Sequence, residues 1–262
     1  MPGAPSMSFA SPKLPLAGKV AIVTGSSRGV GEAIARRLAA DGADVVINHH
    51  GVDVCAEQIA RSINAGEGGR AVVVKADVST IEGGNYLLEE SVRRFGVPDI
   101  LVLNATVLGH RSLEDIDEEY FDLHLNTNVK GPLFLVQAAA KLMKPGGRIV
   151  FVSTSLTRAT NILPMALVFT LTKGAIEQIV RVLAKDLGKR GITVNAIAPG
   201  PIDTPIFQDG KTEQVWRSIA DQHPQRRIPL PDEITPFVAF LVGDDAGWIN
   251  GQTIGVNGGM VV

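Results

Sequence analysis

One cysteine, Cys55, is all that a chain of 262 residues carries, so no disulfide can form within it and a reducing compartment suits it. Charge of one sign is equally scarce. The formal net charge is −2 and no block of like charges occurs, which gives neither nucleic acid nor an anionic membrane surface a footing. No apolar run approaches membrane-spanning length. The first dozen residues, MPGAPSMSFASP, lack the basic start and continuous apolar stretch of a signal peptide. Together these gaps set aside secreted, membrane-embedded and nucleic-acid-binding proteins. They leave a cytoplasmic protein acting on small molecules as the expectation, with no metal site. Residues 1–15 are expected to be a flexible tail and 16–262 a single domain.

What the chain does have is apolar material, 45% of its residues, and 28 glycines. Short β-branched runs recur as KVAIVTG, DVVIN, AVVVKADV, DILVLNA, RIVFVSTS, ITVNAIAPG and GQTIGVNGG, with helical patterns between most of them. Seven such runs, apolar throughout, predict an α/β domain: a doubly wound, seven-stranded parallel sheet with helices on both faces. The helices are predicted at Gly29 to Asp41, Cys55 to Ala65, Ile81 to Phe95, Ile116 to Lys141, Pro164 to Lys189 and Pro231 to Leu241. Residues 203–230 break the rhythm with a polar insertion after the sixth strand, where a substrate lid belongs.

The first strand runs into TGSSRGVG, Thr24 to Gly31, which opens a helix. Gly25, Gly29 and Gly31 allow a tight turn and a close backbone approach to a pyrophosphate, held at a helix N-terminus whose N–H groups and dipole favour anions. Ser27, Val30 and Arg28 lie in the same turn. The second strand ends at Asn48, His49 and His50, with no carboxylate to grip the adenosine ribose of NAD. Arg28 instead offers a fork of donors to a 2′-phosphate, with the histidines at the end of the second strand to assist, so NADP(H) is the expected cofactor and Asn48 and His49 belong to its site; the alternative is that Arg28 solvates the surface.

With these residues in view, the chain resembles the short-chain dehydrogenase/reductase family over nearly its whole length after the tail. The matches are TGSSRGVG, Asp77 and Val78 after the third strand, Asn104 and Ala105 after the fourth, Asn128 in NTNVKGP, Lys173, and Pro199 and Gly200 with Thr204 after the sixth. The resemblance implies adenine contacts at Asp77 and Val78 and nicotinamide contacts from Pro199 through Ile202 to Thr204. It also implies a catalytic Asn, Ser, Tyr and Lys, with Lys173 holding the cofactor ribose as well and Asn104 and Ala105 beside the cofactor, and a homo-oligomer, tetramer or dimer, paired through the long helices. It looks like the fungal polyketide and naphthol ketoreductases and similar carbonyl reductases, which implies a small hydrophobic carbonyl compound or alcohol as substrate.

One position departs from that pattern. Asn128 and Lys173 are kept, and the serine position falls at Thr154, flanked by Ser153 and Ser155. Four residues before Lys173, where the family's tyrosine protonates the substrate oxygen, stands Phe169. A phenyl ring keeps the shape and loses the proton, a change that typically costs ~10²- to 10⁴-fold in rate. Thr106 also replaces the usual glycine after Asn104 and Ala105. Tyr86 and Tyr120 lie in other helices, where surface or packing roles are expected. Three explanations stand side by side: a deliberate Tyr-to-Phe replacement in a ketone reductase; a reductase using another acid, with His110 in the loop after the fourth strand as the candidate; or an enzyme that has left redox chemistry for cyclisation, isomerisation or dehydration. A catalytically silent binding protein is a further class, against which the retained Lys173 and Asn128 argue. Leu156, Leu163, Phe207 and Trp216 point to a hydrophobic substrate, with core packing as the plainer expectation for each.

Overall fold

The computed structural model describes residues 14–51, 54–210 and 212–262. Of the tail, residues 1–13 lie outside the described residues. Leu14 and Pro15 already belong to a turn, in which Ala17 N–H donates to Leu14 O and Leu16 N–H to Asp41 O.

All seven expected strands form: β1 (Val20–Val23), β2 (Asp44–His49), β3 (Ala71–Lys75), β4 (Ile100–Leu103), β5 (Arg148–Val152), β6 (Thr193–Pro199) and β7 (Thr253–Val256). They make one sheet in the order β3-β2-β1-β4-β5-β6-β7, parallel at every pairing. Every residue of β1, β4 and β6 is buried, which is why these runs carry no polar alternation. Successive residues still face opposite ways. Ala21 and Val23 join a core with Ile34, Leu38, Ile59 and Val238 on one face, while Ile22 joins Leu87, Leu135, Ile176 and Val180 on the other. Fully burying each such valine, leucine or isoleucine contributes about 1.5–3 kcal/mol. At the edge, β7 is only partly covered.

The helices are α1 (Gly29–Ala40), α2 (Val54–Asn64), α3 (Ile81–Phe95), α4 (Glu118–Leu125), α5 (Gly131–Leu142), α6 (Leu167–Leu187), α7 (Pro205–Gln208), α8 (Glu213–Asp221) and α9 (Thr235–Val242). The single helix expected from Ile116 to Lys141 is corrected in two ways. It starts after Asp117, whose carboxylate accepts from Tyr120 N–H at 2.7 Å and caps the first turn. It is then interrupted by a π-helical turn, Asn126–Lys130, of the kind that often marks a functional position. The helix expected over Pro164 to Lys189 enters and leaves through short 3₁₀ turns at Pro164–Ala166 and Gly188–Arg190. The one beginning at Pro231 also opens with a 3₁₀ turn, Pro231–Glu233. Residues 203–230, read as a polar insertion, hold α7 and α8, each capped by a threonine side chain, Thr204 and Thr212.

Strand order reverses between β1 and β4, because β2 and β3 build out one way and β4 to β7 the other. The helices leave a crevice there, beyond the carboxyl ends of the strands.

Candidate active site

That crevice is a cavity of about 1130 Å³. One end is the glycine turn. Gly25 and Gly29 take φ of +61° and +59°, in the left-handed region that disfavours a side chain. A Cβ on Gly25 would come within 2.8 Å of Ala105 Cα, and one on Gly31 would overlap Asn104 Nδ2 and Gly25 O. Asn104 is therefore a strut. Its Nδ2 donates to Thr24 O at 2.9 Å and Gly25 O at 3.0 Å, holding the turn against the end of β4.

Asn48 plays a similar part from β2. Its Oδ1 accepts from Gly25 N–H at 3.1 Å and its Nδ2 donates to Ala76 O at 3.0 Å, so the amide is committed to the protein. His49 beside it is buried with Nδ1 lacking any partner, and Arg28 is exposed and ion-paired with no described residue. Asp77 receives Ser79 N–H and Oγ–H on Oδ1, at 3.0 and 2.7 Å. Burial works against its ionisation, but the two bonds from Ser79 and the charge of His50 outweigh it and hold the carboxyl below its usual value. Ser27, Val30 and Val78 also line this end. An orphaned imidazole nitrogen and an uncommitted guanidinium beside a side-chain-free turn fit a dinucleotide with a phosphate on its adenosine ribose.

At the other end stand Phe169 and Lys173, one turn apart on α6 and both buried. Lys173 Nζ donates to Val152 O at 2.8 Å and lies 5.5 Å from the Phe169 ring centroid. Burial alone pushes its pKa down from 10.5 to about 7. Asn128, in the π turn, is fully bonded. Its Oδ1 accepts from Thr106 Oγ1–H at 3.0 Å and Val107 N–H at 2.9 Å, and its Nδ2 donates to Val107 O at 3.0 Å and Thr172 Oγ1 at 3.1 Å. Thr106 thus supplies one of the two donors that fix Asn128.

Among the three candidate hydroxyls after β5, geometry separates what sequence left together. Ser153 Oγ donates to Glu177 Oε1 at 2.9 Å, and Thr154 Oγ1 accepts from Leu156 N–H at 3.4 Å. Ser155 also lines the cavity and carries neither commitment. His110 sits exposed at the rim. Pro199, Gly200, Ile202 and Thr204 continue the wall from β6.

Leu156, Leu163 and Phe207 line the cavity rather than the core, and Leu163 is 66% exposed. Their expected core packing is corrected: they lie on the turn after β5, at the entry to α6 and on α7, beyond the strands, and none joins either buried core. Trp216, half-buried on α8, is in neither place. Tyr86 is half exposed, and Tyr120 stacks on His124, so neither lines the cavity. Met260 and Val261 reach the wall unannounced by any motif. The only sign is the glycine pair before them, Gly258 and Gly259, both at positive φ.

A family model described as enoyl-(acyl carrier protein) reductase matches residues 25–261. The chain is 41% identical to an NADPH-dependent aldehyde reductase-like protein, chloroplastic, of Arabidopsis thaliana, over 97% of this chain and 98% of that one. It is 39% identical to versicolorin reductase 1 of Aspergillus parasiticus, over 93% and 97%. A short-chain dehydrogenase of Burkholderia cenocepacia, solved in complex with NADP, superposes with a TM-score of 0.87 at 37% identity, covering 94% of this chain and 99% of that one. No helix among the described residues is long and apolar enough to cross a membrane. A parallel sheet reversing at a glycine turn, a lysine one helical turn from an aromatic ring in the same cavity, and likeness over almost the full length converge: the chain belongs to the short-chain dehydrogenase/reductase family.

Proposed function

We propose that the protein is an NADP(H)-dependent reductase of a hydrophobic carbonyl compound, of the kind met in specialised metabolism, working in the cytoplasm as a homo-oligomer. One observation carries the reading: a single cavity joins the glycine turn, with Arg28 and His49, to Lys173 and Ser155. When bound, the cofactor supplies a hydride. The glycine turn and the start of α1 hold its pyrophosphate, Arg28 and His49 its 2′-phosphate, Asp77 and Val78 its adenine, and the wall from Pro199 to Thr204 its nicotinamide. Ser155 donates its hydroxyl to the substrate oxygen, and the segment 203–230 closes over the substrate as a lid through Phe207 and Ile219. Family and cofactor are supported by the relatives named above, and a hydrophobic substrate by the apolar side chains of the wall.

A second reading, cyclisation, isomerisation or dehydration with the dinucleotide structural, is favoured by Phe169 itself, which offers no proton. Fluorescence titration tests the cofactor: NADPH should bind more tightly than NADH, and equal affinities would overturn the role of Arg28. A panel of aryl and cyclic ketones followed at 340 nm tests the reaction. Rearrangement of a substrate without change in absorbance at 340 nm would favour the second reading.

A further inference from the structure

We propose that in this chain Lys173 is itself the proton donor to the substrate oxygen. The inference rests on the reductase reading above and supplies the acid that Phe169 cannot. Titratable side chains lining the cavity fall into two groups. Arg28, His49, His50, Cys55 and Asp77 belong to the glycine turn and the β2 and β3 ends, where the adenosine half would lie. At the reacting end, among the described residues, stand His110 and Lys173. His110 is exposed on the loop after β4, whereas Lys173 is 3% exposed on a helix.

Three N–H bonds leave Nζ, and the protein uses one, on Val152 O. The Phe169 ring beside it accepts none strongly. Among the described residues no charge shifts the amine. On its own helix, the nearest carboxylate in sequence, Glu177, is taken by the Ser153 and Thr157 hydroxyls. The end of β5 and the turn after it present Ser153, Thr154 and Ser155, the π turn presents Asn128, and the loop after β4 presents Thr106 and His110; burial is the sole cause of the Lys173 shift to about 7. An acid whose affinity for its proton matches the working pH is best placed to give that proton up.

The step balances. As the carbonyl carbon accepts a hydride, its π pair moves on to oxygen, and that oxygen takes one N–H proton from the ammonium. A secondary alcohol and a neutral amine remain, and the amine regains its proton from solvent once the cavity reopens.

The test uses the whole chain, its Phe169→Tyr variant, and the panel ketone that this variant reduces fastest. If Phe169→Tyr binds NADPH yet reduces no ketone, the reductase reading itself fails. If it is active, the unaltered chain decides the inference. Its kcat/KM should be level below about pH 7 and fall about tenfold per pH unit above it. Lys173→Arg, which keeps a charge but holds its proton, should lose ~10²-fold or more. His110→Gln should keep the alkaline limb where it was. Independently of turnover, chain labelled with ¹³Cε-lysine should show one resonance, missing in Lys173→Arg, that titrates near 7 in the cofactor-free protein. A resonance titrating near the ordinary lysine value, a level pH profile, full activity in Lys173→Arg, or loss of the limb in His110→Gln would each overturn it. Where Lys173→Arg does not fold, the Phe169→Tyr chain provides the assignment: the Lys173 resonance is the one moved by the added hydroxyl.

Discussion

Phe169 is buried with its ring 5.5 Å from an amine, and a hydroxyl added at its para position would extend from that ring without demanding a new backbone. Phe169→Tyr is therefore expected to raise ketone reduction by ~10²-fold or more, measured as NADPH oxidation. On the non-redox reading it lowers turnover instead, since an unpaired hydroxyl in an apolar wall costs about 1–3 kcal/mol. Lys173 makes a second prediction, on stability. Its folded pKa lies below the unfolded 10.5, at about 7. Between those values the unfolded chain binds more protons, so this group's contribution makes stability rise with pH, by about 1.4 kcal/mol per unit, and level off above the unfolded value. Denaturant unfolding of the chain and Lys173→Met across that window checks it; a parallel pH dependence in both would refute it. Which residues gather at the cavity was legible from the motifs: the glycines of the turn, Lys173 and Phe169 all line it. Commitments were not. That Asn48 is spent on Gly25 and Ala76, and that Ser153 belongs to Glu177, depends on partners over 20 residues away, which no local pattern encodes.

At the scale of elements, the strands were the most legible, because a strand buried on both faces has to be apolar throughout. The π turn was invisible: Leu125 to Gly131 reads as ordinary helix, and only the four bonds of Asn128 explain what the irregular turn fastens. The foot of the segment 203–230 is anchored by Arg227, which grips Glu233 through two bonds of 2.7 and 2.6 Å. Hydrogen bonds from Arg227 first, then Leu230 N–H, lower the Glu233 pKa from 4.5 to about 2. A depressed carboxylate contributes stability that is full above 4.5 and lost as pH falls through about 2. The melting-temperature gap between the chain and Glu233→Gln should accordingly shrink over that interval, while a constant gap would mean the pair does not stabilise the fold. Deeper in, Leu135 is 2% exposed between sheet and helices. Leu135→Ala should cost about 2–5 kcal/mol by chemical denaturation.

For the whole molecule, the fold class was readable because seven apolar runs alternating with helical patterns specify a parallel sheet covered on both faces, whereas the strand order was not, since no local pattern says which strands pair. Surface association is less legible, yet the structure bears on it. Phe121 and Leu123 on α4, and Leu167, Leu171 and Val182 on α6, expose apolar surface on the two long helical segments expected to pair between copies. Sedimentation at micromolar concentration should give a tetramer or dimer, and Leu171→Glu should shift it towards smaller species; a monomeric unaltered chain would contradict the proposal.

A Cβ placed on Gly29 would meet Thr204 Cγ2 at 3.3 Å, so the glycine turn and the residue that caps α7 pack too closely for a side chain between them. Two guests using this cavity would then board through one doorway in a fixed queue. On the proposed reading the dinucleotide would lie along the glycine turn and be seated before Thr204 and α7 settle, and a carbonyl compound arriving first would bar its way. Steady-state kinetics should show NADP⁺ competing with NADPH while the alcohol product does not, the signature of compulsory order; random order would mean that the contact at Gly29 transmits nothing.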